Sequence, residues 1–182
     1  IRLGRPWDLD RSREGGLRVL LPYSGAQRTS WYRGTADALI QNLDIIRKSP
    51  SRYVLILSGD HIYKMDYREL FHRHIVTGAK LTLATRPQRP GDARRFGLVS
   101  LEDNGRVTGF REKPCEPFGS DASLGIYLFD RDYLVEALQK LEEAEGSDLV
   151  REIVTPTVAG EQVFTYRYDG YWEDVGDLDA YY

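Results

Sequence analysis

Two acidic residues, Asp60 and Asp174, stand where a chain with an open α/β fold would bind a ligand. Asp60 follows an apolar run, residues 53–57, that has the composition of a strand buried on both faces. Asp174 lies where a strand is expected to pass into a helix. Because ligands bind outside the carboxyl ends of the strands in such sheets, these two carboxylates could hold a hard cation such as Mg²⁺ beside phosphate oxygens. Alternatively, Asp60 caps a turn and Asp174 caps the last helix.

Glu112 and Lys113 form a second candidate group at the end of a predicted hairpin strand. Pro114 restricts the backbone of the residue before it, and a lysine held in this way can place a point charge on a phosphate. Glu112 could accept hydrogen bonds from sugar hydroxyls. The competing interpretations are a solvated surface lysine, which is the commoner fate of lysines, and a glutamate paired with a neighbouring arginine.

Residues 31–35 place two aromatic side chains and a cation just before a predicted helix: Trp31, Tyr32, Arg33, Gly34 and Thr35. Gly34 would let a flat ligand approach the backbone, and helix N-termini favour anions. Aromatic packing, with Thr35 as the helix cap, is the more economical account of these residues taken alone.

Other chemistries find little support. His61, His72 and His74 do not form a convincing metal set, because His72 and His74 lie two residues apart on a predicted helix and face different sides. Cys115 has no partners that indicate nucleophilic catalysis, and the sequence contains no glycine-rich phosphate loop.

Helices and strands are predicted to alternate along the chain, which is typical of a three-layer α/β domain with a mostly parallel, mixed sheet. Thr35, Asp66 and Asp130 are predicted to cap helices, and Asn104-Gly105 to turn a β-hairpin. Further strands are predicted at residues 53–57, 81–85, 123–129 and 163–168, and a last helix after Gly176.

The composition is that of a globular protein. The chain has 182 residues, 41% hydrophobic and 29% charged, which is enough for one domain with a full core. Its net charge of −3 disfavours a nucleic-acid partner, and no apolar run is long enough for a membrane span. A single cysteine excludes an intramolecular disulfide framework and favours a reducing, cytoplasmic compartment.

Several motifs occur together and in order from residue 31 onward. With this combination the chain resembles the sugar nucleotidyltransferases, in particular their glucose-1-phosphate adenylyltransferase branch. The motifs are Trp31-Tyr32-Arg33-Gly34-Thr35-Ala36-Asp37-Ala38, Ser58-Gly59-Asp60-His61-Ile62-Tyr63, Phe96-Gly97, Glu112-Lys113-Pro114, Ser123-Leu124-Gly125-Ile126-Tyr127 and Trp172-Glu173-Asp174-Val175-Gly176. The first two point to the adenylyl branch, and the resemblance implies a Rossmann-like fold of the GT-A type.

The resemblance also implies a reaction in which ATP and α-D-glucose 1-phosphate give ADP-glucose and pyrophosphate, as in glycogen or starch synthesis. It implies that Asp60 and Asp174 bind Mg²⁺ at the catalytic centre and that Lys113 binds the sugar phosphate. Glu112, Ser123, Tyr127 and Asp174 would lie around the sugar, and the residues at positions 31–35 beside the nucleotide. The family is tetrameric, so a homo-oligomer is expected.

Two family elements have no counterpart in the sequence: a glycine-rich triphosphate loop with the first strands, and a C-terminal β-helix. We therefore expect residues 1–182 to be a partial catalytic domain with little activity alone. A pyrophosphorylase that uses UTP, dTTP or GTP, and a non-catalytic regulatory subunit, are the alternatives. A glycosyltransferase of similar fold is disfavoured, because Gly59-Asp60-His61 is not the Asp-any-Asp motif that such enzymes usually carry.

Overall fold

The computed structural model describes residues 18–22, 24–25, 28–29, 31–89, 91–116 and 118–176, and the helix predicted after Gly176 lies outside them. The strands among these residues are β1 Ser24–Gly25, β2 Arg28–Thr29, β3 Tyr53–Leu57, β4 His61–Tyr63, β5 Leu81–Pro87, β6 Gly97–Leu101, β7 Val107–Glu112, β8 Asp121–Asp130, β9 Val163–Arg167 and β10 Trp172–Asp174. The helices are α1 Thr35–Gln41, α2 Leu43–Lys48, α3 Tyr67–Thr77, α4 Asp92–Arg95, α5 Arg131–Glu143 and α6 Thr155–Gly160, with a π-helical turn, Val150–Val154, before α6.

Strand β8 is the centre of a six-stranded sheet. One edge of β8 pairs with β5, which pairs in turn with β9. The other edge pairs with β3 along residues 126–130 and with β6 at residues 121–122, and β7 lies outside β6. Two smaller two-stranded sheets join β1 to β2 and β4 to β10.

The predicted α/β class and mixed sheet are confirmed. The prediction of a mostly parallel sheet is wrong for the described strands, where most strand pairs are antiparallel. Only β5 and β9 pair in parallel there, because β8 runs antiparallel to each of its three neighbours. Strand β3 is also not the central parallel strand that its apolar run predicts. Its described neighbour is β8 alone, and Leu57 at its end is exposed.

Two apolar cores cover opposite faces of the sheet, which gives the three layers that were predicted. Side chains alternate along β8, so that Leu124, Ile126 and Leu128 pack toward α3 with Leu70, whereas Phe129 packs toward α1, α2, α5 and α6. Each of these five side chains is fully buried. Burial of an aliphatic side chain of this size contributes about 1.5–3 kcal/mol, so both layers hold β8 in place.

Helix ends follow the predicted caps at two of three places. The carboxylates of Asp66 and Asp130 accept hydrogen bonds from the backbone N–H groups of Arg68 and Tyr133 at the starts of α3 and α5. Thr35, however, lies inside α1 and does not cap it. Its hydroxyl instead accepts a hydrogen bond from the Leu149 N–H at 3.2 Å.

Candidate active site

Strands β4 and β10 bring together two acids that lie far apart in the sequence. The two strands pair antiparallel, with Asp174 opposite His61. The Val175 N–H also donates to the backbone carbonyl of Asp60 at 3.2 Å. Asp60 therefore follows the carboxyl end of β3 and faces Asp174 across this small sheet, as the sequence predicts.

Asp60, His61 and Asp174 form a group whose ligand atoms all lie within 4.8 Å of one another. The Nε2 atom of His61 is 3.6 Å from Asp60 Oδ1 and 3.9 Å from Asp174 Oδ1. Carboxylate oxygens are the donors that Mg²⁺ prefers, so the donor set fits the predicted cation. The sequence analysis considered His61 only together with the other two histidines and therefore did not place it beside the two acids. Its position next to Asp60 in the sequence was the signal that could have indicated this group.

Each carboxylate in this group has hydrogen-bond donors that fix its orientation. Ser58 Oγ donates to Asp60 Oδ1 at 2.7 Å, and this hydrogen bond is the main cause that lowers the pKa of Asp60 below its ordinary value. The Gly176 N–H donates to Asp174 Oδ1 at 3.0 Å, while the Arg95 guanidinium lies 3.7 Å from Asp174 Oδ2. Asp60 is thus held ionised at neutral pH, which is the form that binds a cation.

The imidazole of His61 is held from three sides. Its Nδ1 lies 3.1 Å from the carbonyl oxygen of Leu124, and its ring packs edge-to-face on buried Trp172 with centroids 4.8 Å apart. Gly125, at φ +67°, is the third contact, because a Cβ there would lie 2.8 Å from His61 Cε1. A residue other than glycine would push the ring away from β8.

Trp172 itself packs against a buried ion pair. Its ring contacts Phe96 at a centroid distance of 5.2 Å, and the Arg86 guanidinium lies 5.6 Å from the Trp172 ring. Arg86 donates two hydrogen bonds to Asp92, at 2.8 and 3.0 Å. This packing supports the start of β10 and therefore the position of Asp174.

Glu112 ends β7, and Lys113 follows it beside the Phe96-Gly97 segment. The Lys113 N–H donates to the Phe96 carbonyl at 3.3 Å, and Lys113 has a left-handed backbone with φ 42°, although it is not glycine. The pKa of Glu112 is raised, chiefly by partial desolvation, which the charge of Lys113 opposes. In the described part of the chain, no hydrogen bond or ion pair links the Lys113 side chain to Asp60 or Asp174.

Ser123 and Tyr127 lie on β8 on either side of the bulge at Gly125. Both side chains are buried, and burial raises the pKa of Tyr127 to about 12. The charge of Glu112 acts on Tyr127 in the same direction. The structure thus brings Tyr127 close to both Ser123 and Glu112.

Residues 31–35 pack against the loop before the π-helical turn. A Cβ on Gly34 would overlap the Ser147 carbonyl, which accepts a hydrogen bond from the Ala36 N–H at 2.8 Å. Glycine is therefore required by this backbone contact, whether or not a ligand also approaches. The Trp31 side chain is 85% exposed, so it is accessible to a ligand.

The fold agrees with the comparison to known families. The chain belongs to the nucleotidyl transferase family, whose model matches residues 10–182. Similar curated proteins are named glucose-1-phosphate adenylyltransferase. Those of Thermomicrobium roseum, Lachnospira eligens and Thermotoga maritima are 45%, 43% and 40% identical to this chain over 98%, 100% and 100% of its length.

This chain corresponds to less than half of the length of each of these relatives. The chain spans 42%, 43% and 44% of their respective lengths. Separately, none of the helices in the described residues is long and apolar enough to cross a membrane.

Proposed function

We propose that this chain forms the catalytic part of an enzyme that transfers an adenylyl group from ATP to α-D-glucose 1-phosphate, giving ADP-glucose and pyrophosphate. The observation that carries the proposal is the pairing of β4 with β10, which sets Asp60 and Asp174 within metal-binding distance of each other. The names of the similar proteins support this choice of substrates.

Mg²⁺ is the proposed cofactor, held by Asp60 and Asp174. When bound, the cation supplies positive charge that offsets the repulsion between two anionic reactants. The carboxylate of Asp60 is ionised at neutral pH, and the hydrogen bond from Ser58 lowers its pKa further, so it needs no deprotonation before it binds a metal.

The remaining residues bind and orient the substrates. Lys113 places its charge on the sugar phosphate, while Glu112, Ser123 and Tyr127 line the sugar site together with Asp174. Residues 31–35 lie beside the nucleotide, where the exposed Trp31 offers a stacking surface. An oxygen of the sugar phosphate attacks the α-phosphorus of ATP, and the bond to pyrophosphate breaks. Because the substrate supplies the nucleophile, no activated serine or cysteine is needed.

The proposal extends to the protein's place in the cell. Synthesis of ADP-glucose for glycogen or starch, a cytoplasmic location and a homotetramer follow from the resemblance described above. The single cysteine agrees with a reducing compartment. Neither a nucleic-acid partner nor a membrane partner is proposed.

A nucleotide comparison tests the proposed activity. Pyrophosphate release by the full-length protein is measured with glucose 1-phosphate, Mg²⁺ and each of ATP, UTP, dTTP and GTP. We expect ATP to be preferred by at least about tenfold in kcat/KM, a difference of about 1.4 kcal/mol. A preference for another nucleotide would reassign the donor, and binding of glucose 1-phosphate without turnover would indicate a regulatory subunit.

A pair of variants connects the activity to the site. Asp174→Asn should abolish Mg²⁺-dependent release of pyrophosphate, because it removes one of the two carboxylates. Asp169→Asn is the matched control, since Asp169 is an exposed acid of the preceding turn. Equal activity in both variants would contradict the proposed centre.

A further inference from the structure

We propose that Arg95 is a positioning residue, which holds the carboxylate of Asp174 in the orientation in which this acid binds the metal. The inference rests on the proposed function for the role of Asp174 as a metal ligand. Its basis is a double contact by one nitrogen atom. Nη2 of Arg95 donates to the backbone carbonyl of Asp174 at 3.3 Å and lies 3.7 Å from Oδ2 of the same residue. One side chain therefore holds Asp174 at both its backbone and its carboxylate.

The two carboxylate oxygens of Asp174 have different surroundings. Oδ1 accepts a hydrogen bond from the Gly176 N–H at 3.0 Å and lies on the side of His61 and Asp60, whereas Oδ2 faces Arg95. With a donor at one oxygen and a cation beside the other, rotation of the carboxylate would disturb one contact or the other. Arg95 thus leaves Oδ1 facing the candidate metal position.

Arg95 is itself supported by the short helix α4 and by the ring of Phe96. Its guanidinium carbon lies 5.1 Å from the centre of this buried ring. The Phe96 N–H donates to the Asp92 carbonyl at 2.9 Å, and the Asp92 carboxylate accepts two hydrogen bonds from buried Arg86. A planar guanidinium can stack on an aromatic ring while its edge donates hydrogen bonds. The segment between β5 and β6 therefore presents Arg95 to Asp174 from a fixed base.

The contact between Arg95 and Asp174 adds little to the stability of the fold. The Arg95 side chain is 40% exposed, and water screens the charges of an ion pair in such a position. Nor does the contact raise metal affinity through charge, because a guanidinium repels a cation. The placement of a catalytic group is far more sensitive, since a displacement of about 1 Å can lower a rate about a hundredfold. Loss of Arg95 should therefore affect activity much more than thermal stability.

Hydrogen exchange at the Gly176 amide reports the orientation of Asp174 without metal or substrate. This amide donates to Oδ1, so its protection depends on the position of the carboxylate. Arg95→Met keeps an apolar stem over Phe96 but removes the donors, and in the full-length protein we expect it to accelerate this exchange at least about threefold. Arg94→Met is the matched control, because Arg94 is the exposed neighbouring arginine of α4, and it should leave the exchange unchanged. Equal exchange rates in the two variants would overturn the proposal.

A double-mutant cycle shows whether the effect passes through the carboxylate of Asp174. Asp174→Ala removes the acceptor of the Gly176 N–H, so exchange there should already be fast. In that background, Arg95→Met should change the rate by less than about 1.5-fold, because the two substitutions remove the same contact. A further acceleration would show that Arg95 acts on the whole segment rather than on Asp174, and it would overturn the inference.

Steady-state kinetics distinguish positioning from substrate binding. Arg95→Met should lower kcat about ten- to a hundredfold, while the KM values for ATP and glucose 1-phosphate change by less than about threefold. Arg95→Lys keeps a charged donor and should recover most of the lost activity. A raised KM at constant kcat would assign Arg95 to a substrate phosphate. Full activity in Arg95→Met, with loss in Arg95→Lys, would assign it to packing on Phe96. Either result would overturn the proposal.

The exchange experiment and the proposed function can fail separately, because the exchange experiment contains neither metal nor nucleotide. Exchange that depends on Arg95, in a protein without adenylyl transfer, would support the contact with Asp174 and contradict the proposed function. Exchange that does not depend on Arg95, in a protein that forms ADP-glucose, would overturn the positioning role alone.

Discussion

The bulge at Gly125 offers a quantitative test of how β8 positions His61. Gly125 combines a left-handed backbone, φ +67°, with a position 2.8 Å from His61 Cε1 for any added Cβ. Gly125→Ala therefore has two costs, one from the backbone and one from the displaced ring. Gly78 separates them, because it has φ +61° at the end of α3 and nothing within 4 Å of an added Cβ.

The backbone cost and the cost of the displaced ring can be estimated separately, and the second has two parts, side-chain strain and a lost hydrogen bond. A residue with a Cβ in the left-handed region costs about 1–2 kcal/mol, which is the whole effect expected of Gly78→Ala. Displacing the His61 ring adds about 0.5–1.5 kcal/mol of side-chain strain. Loss of the hydrogen bond to Leu124 adds about 0.5–1.5 kcal/mol. We expect Gly125→Ala to lower the free energy of unfolding by about 2–5 kcal/mol in total.

Urea unfolding of both variants measures the difference, since a shift of the midpoint at constant slope reports stability alone. A double-mutant cycle with His61→Ala isolates the ring contact. In the His61→Ala background, Gly125→Ala should cost no more than Gly78→Ala. The reasoning is refuted if the two glycine variants are equally destabilised in the wild-type background, or if the extra cost of Gly125→Ala survives the loss of the imidazole.

Three further predictions follow from the site and the core. Asp60→Asn should lower kcat by orders of magnitude while the thermal midpoint is unchanged, because this carboxylate is 62% exposed; near-normal kcat would contradict its metal role. Lys113→Gln should raise the KM for glucose 1-phosphate and leave that for ATP nearly constant; steady-state kinetics showing equal shifts would argue against the assignment. His74 is buried, and its pKa is lowered from 6.5 to about 4, chiefly by desolvation, so protonation favours the unfolded chain. Stability should be full above about pH 6.5 and fall by up to about 3 kcal/mol as the pH drops to 4. His74→Gln should flatten this part of a urea-midpoint profile, and an unchanged slope would show that other groups cause it.

Local features were predictable because their causes lie within a few residues of sequence. Asp66 and Asp130 cap helices through bonds to residues two or three positions away, and Asn104-Gly105 turns the hairpin between β6 and β7. The failure at Thr35 has an equally clear cause. Its hydroxyl is taken by the distant Leu149 N–H, a contact that no local pattern contains.

Strand direction required the tertiary structure. The apolar run of β3 predicts burial, but it contains nothing that fixes the neighbour or its orientation. Hydrogen bonds to β8, from a part of the chain far along the sequence, make β3 antiparallel. For the same reason, the sequence overestimated the number of parallel pairs.

For the candidate site, the sequence by itself determined which side chains are available: the acids Asp60 and Asp174, and the Glu112-Lys113 pair. Only the tertiary structure decided that His61 joins the two acids, because the pairing of β4 with β10 and the carbonyl of Leu124 orient its ring. Residue types are set by the sequence directly. The meeting of side chains depends on hydrogen bonds between strands that are remote from each other in the chain.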